Sequence, residues 1–210
     1  MTGDLQPRLT DLDLAGDRVR LRPVRSEDAA VAFPMIHGRE EVLRWLVWKG
    51  PADLPELERA YSRWRVTGEQ GVDYKLAIEE LGSGRFCGTV GLRFIDHPFV
   101  GDLGYWIAEK WWGKGLGSEA VLLATHLAFQ HLRAGALVAE VFEGNEASER
   151  ILLKTGFEAA FAPATAPLDH PEGADLEIER PKRSFALSAP RFRMMFDDLE
   201  PAVERVQLED

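Results

Sequence analysis

Three glycines at alternate positions, Gly113, Gly115 and Gly117, stand between a strand-like run, Leu103 to Ala108, and a helical run from about Gly117 to Leu132. Leu116, Ala120, Leu123 and Leu127 line one face of that helix. No other feature constrains the fold as tightly. Glycine lets the backbone turn with its N–H groups pointing inward, and the positive end of the following helix adds to them, so strand, glycine loop and helix together make a seat for a phosphate or pyrophosphate. The loop is neither of the two commoner phosphate motifs. Its glycines run G-x-G-x-G, with no acidic residue ending a strand about 20 residues on as the dinucleotide fingerprint requires. The Gly-Lys-Ser/Thr ending of a P-loop is missing as well. Taken alone, the glycines suit a tight, closely packed turn equally well.

The surrounding pattern alternates strands and helices. Asp17 to Pro23 alternates polar and apolar residues and reads as a first strand, and Ser26-Glu27-Asp28 starts a helix running to Ile36. Leu54, Leu57, Tyr61 and Trp64 share the face of a helix that ends near Val66. Val72 to Glu79 and Arg85 to Ile95 form a hairpin around Leu81-Gly82-Ser83-Gly84. Past the central helix come a strand (Ala136 to Phe142), a short helix (Glu146 to Lys154) and a strand start (Phe157 to Ala162). Residues 163–181 hold four prolines and read as a long excursion, Ser184 to Leu187 as a last strand, and Glu200 to Asp210 as an acidic end that frays. The predicted organisation is a lead-in over 1–16, one domain over 17–190 and an acidic tail over 191–210.

Composition narrows the function. Against 25 Lys and Arg stand 35 Asp and Glu, a net charge of −10 that disfavours nucleic acid and leans mildly towards a cationic partner. No run approaches the roughly 18 apolar residues of a bilayer span, so no membrane partner is expected. The first residues lack a basic and apolar leader, which makes the cytoplasm the default. Cys87 is the only cysteine, excluding an internal disulfide and a cysteine-rich zinc site, and is expected to be a buried small hydrophobe. His126 and His131, five residues apart, do not share a helix face, so no metal is expected.

The next motif makes the reading specific. After the strand that follows the glycine helix stands Asn145-Glu146-Ala147-Ser148, and the short helix closes on Lys154-Thr155-Gly156-Phe157. With Leu21-Arg22-Pro23, and with Gly104-Tyr105-Trp106 followed by Trp112-Gly113-Lys114-Gly115, these segments resemble the GNAT superfamily of acyl-CoA-dependent N-acyltransferases, within it the RimJ/RimL type of ribosomal-protein N-terminal acetyltransferases. The resemblance runs from about Asp17 to Leu187.

It implies an α+β fold: a mixed, mostly antiparallel seven-stranded sheet with splayed central strands and helices on both faces. The implied co-substrate is acetyl-CoA, its pantetheine arm lying between the splayed strands like an extra strand, with no metal. On this resemblance the pyrophosphate loop maps to Trp112, Gly113, Lys114, Gly115, Leu116, Gly117 and Ser118, preceded by Ile107 on the strand. Trp112 stands where many superfamily members carry Gln or Arg, so the backbone rather than that side chain is the phosphate ligand. Asn145 matches the residue that bonds the pantetheine, and Ser148 the one near the thioester sulfur; both types also favour helix caps.

The implied chemistry is direct attack by a primary amine on the acetyl thioester in a ternary complex. The usual tyrosine donor, seven residues past the asparagine, is Leu152 here, which leaves Ser148 to stabilise the departing thiolate. For the base, Asp102 comes first because it shares a strand face with Gly104 and Trp106. Glu140 is second, with a solvated strand carboxylate as its plainer role. Where relatives of this type carry a glutamate after Gly-Phe, this chain offers Glu158, then Asp169, His170 and Glu172, and a water chain is the remaining route. The acceptor is a protein N-terminus or a small amine, and a homodimer is left open. Trp45, Trp48 and Trp64 suit a cationic amine or an extended peptide, or simply fill core. The alternatives are succinyl-CoA or another acyl donor, or a non-catalytic CoA-binding module.

Overall fold

The computed structural model describes residues 7–94, 99–160 and 180–209. Its alternating apolar runs become β1 (Arg8–Ala15), β2 (Val19–Pro23), β3 (Asp73–Glu80), β4 (Arg85–Arg93), β5 (Val100–Ile107), β6 (Ala136–Phe142), β7 (Glu158–Ala160), β8 (Lys182–Ser188) and β9 (Val203–Glu209). These form one sheet in the order β7-β8-β6-β5-β4-β3-β2-β1-β9. Every described pairing is antiparallel except β5 with β6. The helices are α1 (Asp28–Ile36), α2 (Glu40–Leu43), α3 (Leu54–Glu69), α4 (Leu116–Gln130), α5 (Glu146–Lys154) and α6 (Ala189–Phe196).

Central strands of such a sheet must be apolar on both faces, and these are. Leu76 and Ile78 of β3 enter the core beneath α4, α5 and α6, while Ala77 of β3 and Phe86 of β4 enter the one beneath α1 and α3. The caps follow the sequence: Asp53 Oδ1 accepts from the Glu56 N–H at 2.8 Å to start α3, and Ser188 Oγ accepts from Arg191 N–H to start α6. The Leu21-Arg22-Pro23 segment has a structural role of its own. Arg22 donates two hydrogen bonds of 2.7 Å to the Asp28 carboxylate and a third of 2.7 Å to Glu79, tying the start of α1 to β2 and β3.

Seven strands were expected and nine form. The two extra ones are β1, in the segment read as a lead-in, and β9, in the acidic end expected to fray. They pair with each other along the sheet edge, from Arg8 opposite Glu209 to Ala15 opposite Val203. The physical reason is alternation beneath an acidic composition: Leu12 and Leu14 are fully buried, and Val206 and Leu208 pack on the same core. The charges on the pair are matched, with Arg205 at 3.0 Å from Asp11 and Arg20 at 3.0 Å from Asp13.

The geometry also corrects the reasoning about histidines. His131 lies one residue past α4, so the helix-face argument does not apply to it. The chain turns back through Arg133 at φ 55, and the His126 and His131 rings end 5.9 Å apart, both hydrogen-bonded to Glu204 of β9. Among the described residues no helix is long and apolar enough to cross a membrane.

Candidate active site

The parallel β5–β6 ladder covers only three residue pairs, ending at Asp102 opposite Val138, although β5 continues to Ile107 and β6 to Phe142. Beyond that point the strands part, and a cleft of about 520 Å³ opens between them. Period-two alternation gives it two sides. Leu103, Tyr105 and Ile107 of β5 and Ala139 and Val141 of β6 belong to the core under α4 and α5, whereas Trp106 packs with the core under α1 and α3. The cleft therefore passes through the sheet, with Ser148 and Gly117 lining one side and Trp45 and Glu140 the other.

The first side ends at the glycine loop. Gly113 and Gly115 adopt φ of 72 and 80, the left-handed region open to glycine, and turn the chain into α4. Among the described residues no side chain caps α4, whereas Asp53, Asn145 and Ser188 cap α3, α5 and α6. Leu116, Gly117 and Ser118, which carry its first N–H groups, line the cleft, and at an uncapped helix start an anion can take the cap's place. Trp112 Nε1 donates to Ile107 O at 2.7 Å, so this side chain is spent on bracing the loop. Trp111 also lines the cleft, with its Nε1 buried and without a partner among the described residues.

Positive charge gathers here despite the net acidity of the chain. Lys110 and Lys114 lie 5.5 and 4.5 Å from the Trp111 ring centroid, and Arg150 and Lys154 line the cleft. Uncapped amides and clustered cations suit a pyrophosphate-bearing molecule such as CoA.

Midway along the cleft, Ser148 and Tyr105 meet. The Tyr105 hydroxyl and Ser148 Oγ are 2.8 Å apart, and burial pushes the Tyr105 hydroxyl up to about 12 despite the serine's hydrogen bond. Tyr105 does not emerge from the sequence as a site residue, because its partner is 43 positions away on another element. Its signal is the alternation that puts it on the face opposite Trp106. Asn145 Oδ1 accepts from the Ser148 N–H at 3.2 Å, so it is the cap of α5; its carboxamide N–H₂ is what it can offer the cleft it lines.

The candidate bases separate. Glu140 lines the cleft, and its Oε2 accepts from Lys182 Nζ at 2.8 Å. Asp102 sits on the last paired step of the β5–β6 ladder, across from Arg93 of β4, one residue short of where the cleft wall begins at Leu103. Glu158 forms an exposed ion pair with Arg191 at 3.1 Å on β7, away from the cleft. Asp169, His170 and Glu172 lie outside the described residues.

Of the three tryptophans placed near the acceptor, Trp45 lines the cleft, while Trp48 and Trp64 pack against the core under α1 and α3. The aromatic faces on this side are held by the protein's own cations: Arg44 and Arg180 lie 4.7 and 5.6 Å from the Trp45 centroid, and Arg180 and Lys182 lie 4.7 and 5.7 Å from that of Phe142. Cys87 is buried as expected, its thiol pushed up to about 12 by burial.

Residues 18–158 match the family described as acetyltransferase (GNAT) domain. The chain is 30% identical over 146 residues, 68% of its length and 83% of the other's, to the uncharacterized protein YkkB of Bacillus subtilis (strain 168). Among solved structures it is similar to Mycobacterium smegmatis RimJ in complex with CoA-disulfide, at TM-score 0.68 and 22% identity over 89% of this chain and 93% of that one. It is also similar to spermidine N-acetyltransferase from Vibrio cholerae in complex with CoA and spermine, at TM-score 0.66 and 14% identity over 83% of this chain and 97% of that one. With these two structures the likeness is one of fold.

Proposed function

Because the chain belongs to the GNAT acetyltransferase family, and is an N-acetyltransferase acting from acetyl-CoA, we propose that it is of the RimJ/RimL type and acetylates the α-amine of a peptide or a small molecule carrying acidic rather than basic neighbours. The observation that supports this reading is the two-sided cleft: a phosphate-suited loop and a hydroxyl pair on one side, and a cation-rimmed aromatic mouth on the other.

In this reading the N–H groups of Gly113, Gly115 and Gly117, with Leu116 and Ser118, hold the pyrophosphate, and Lys114 supplies charge nearby. The edges of β5 and β6 beyond Asp102 and Val138 orient the pantetheine. A neutral amine entering past Trp45 attacks the thioester carbonyl; a C–N bond forms, the C–S bond breaks, and the electron pair leaves with sulfur. The amine gives up one proton and the thiolate gains one. Tyr105 near 12 is a weaker acid than an ordinary thiol of about 8.5, so full transfer from the phenol is uphill. The Ser148–Tyr105 pair instead stabilises the thiolate by hydrogen bonding and passes on the proton that the amine releases. Glu140, which lines the cleft and is tied to Lys182, and Asp102, at its closed end, are the candidate carboxylates for that path; ordered water completes it.

The experiment is free-thiol release from acetyl-CoA with matched peptides bearing acidic or basic residues after the N-terminal residue, and with spermidine. Turnover favouring the acidic peptides is expected. Preference for spermidine overturns the acceptor assignment. CoA binding without thiol release from any amine would leave the non-catalytic CoA-binding module. Succinyl-CoA in a parallel arm tests the acyl group.

A further inference from the structure

The cluster at the far end of α4 has no part in acetyl transfer. His126, His131 and Glu204 each offer one ligand atom, and these atoms lie within 4.8 Å of one another. None of the three residues lines the cleft. At about 1.5 Å of rise per residue, His131 stands roughly 21 Å along the helix axis from Gly117. Glu204 shares the inward row of β9 with Val206 and Leu208, which pack on the core. Glu204 is itself exposed at the sheet edge, and both imidazoles converge on its carboxylate.

From this geometry we infer that His126, His131 and Glu204 form a binding site for one divalent transition cation of the zinc type, clasping the C-terminal strand to the central helix. Both histidines present Nε2 to the same oxygen, Glu204 Oε1, at 2.8 and 2.6 Å. Two imidazoles sharing a zinc ion through bonds of about 2.0–2.1 Å have ring centroids roughly 5–6 Å apart. The rings here stand at 5.9 Å. To admit the ion, the half-exposed carboxylate must move outward by roughly half an ångström, to the N–O separation of about 3.3 Å that tetrahedral ligands keep.

Two imidazoles and one carboxylate select zinc-type ions over Mg²⁺ or Ca²⁺, and three ligands leave a fourth position for water.

The site is built for moderate affinity. His126 Nδ1 is buried with no partner among the described residues, whereas a ligating histidine ordinarily donates that N–H to an acceptor, an interaction worth about 10- to 100-fold in affinity. Dissociation constants in the micromolar range are therefore expected. The ion acts on stability and on the seating of β9, leaving transfer chemistry to the cleft.

The test is calorimetric titration of the full, tag-free chain, stripped with chelator, using ZnCl₂ alone, with MgCl₂ and CaCl₂ in parallel. One zinc per chain is expected, no uptake of the hard cations, and a rise in Tm of about 5–10 °C at a hundredfold excess over Kd. Glu204→Gln, and separately His131→Gln, should weaken zinc binding at least tenfold and remove most of the Tm rise, while Tm without zinc and acetyl-CoA turnover stay near wild type. Absence of uptake up to about 1 mM free zinc overturns the inference. So does equal affinity in the double variant His126→Gln/His131→Gln, which assigns the ion to other histidines. Should Glu204→Gln unfold, His131→Gln, altered at a more exposed position, decides the matter alone.

Discussion

Ser148 and Tyr105 touch each other through hydroxyls 2.8 Å apart, and that contact fixes what substitution at either position should do. Ser148→Ala removes the hydroxyl proposed to face the departing sulfur, so kcat should fall about 10- to 100-fold, with acetyl-CoA affinity unchanged by calorimetry. Tyr105→Phe leaves the serine without its partner and should cost less. If the two act as a unit, the double variant falls no further than Ser148→Ala alone, because their effects are not additive. Full activity in Ser148→Ala reduces the residue to part of a helix start. Legibility at this scale follows sequence distance. Asn145 and Ser148 stand in one four-residue motif and show at once as a cap, whereas Tyr105 reaches Ser148 from β5 across a gap that no local pattern spans. Glu140 was visible as a strand carboxylate, but its ion pair with Lys182 depends on β6 and β8 being neighbours, a long-range fact.

At the scale of elements, the glycine loop and α4 were legible because backbone demands are local. Gly113 and Gly115 do adopt positive φ, and the helix they start is the best-buried of the described helices. The same positions yield a discriminating prediction. A Cβ at Gly115 meets Arg18 Nη1 at 2.9 Å and sits at φ 80, so any side chain there strains the loop and displaces Arg18. Gly115→Asn carries that strain without charge, in a residue type that tolerates positive φ. Gly115→Glu adds an anion beside the proposed pyrophosphate seat. CoA affinity should fall modestly in the first and by two orders of magnitude or more in the second, with both variants folded by circular dichroism. Equal affinities in the two remove the electrostatic role of the loop. The edge pair β1–β9 was hidden for the opposite reason: its alternation is local, but prolines, acids and chain ends read as tail until another strand is known to lie alongside. Such pairing joins residues about 200 apart, and neither period nor propensity carries that information.

For the whole molecule the decisive quantity is where charge sits, since a total of −10 conceals a cleft with a cationic surround. Arg150 and Lys154 line it on the loop side, and Arg44, Arg180 and Lys182 crowd the aromatic faces of Trp45 and Phe142 at the other mouth. A polycationic acceptor is drawn by the distant acidic surface but repelled on arrival, and close charges dominate because the Debye length is only about 8 Å at physiological ionic strength. Acceptors with an acidic residue near the amine should therefore show the lower KM, and the advantage should shrink as salt rises from about 20 to 300 mM. The amine must also be neutral to attack. Below its own pKa each unit of pH lowers the reactive fraction tenfold, so kcat/KM should climb with pH and level off above the pKa of the group that reacts. An α-amine levels off near 8, whereas a lysine-type amine goes on rising past 10. Measuring kcat/KM from pH 6 to 10.5 on one acidic peptide with a free N-terminus, and on its N-blocked, lysine-bearing analogue, separates the two. A plateau near 8 with the first and no turnover of the second fits an α-amine acceptor. A continuing rise on the lysine analogue overturns the α-amine assignment, and a salt dependence identical for acidic and basic peptides contradicts the role assigned to Arg44, Arg180 and Lys182.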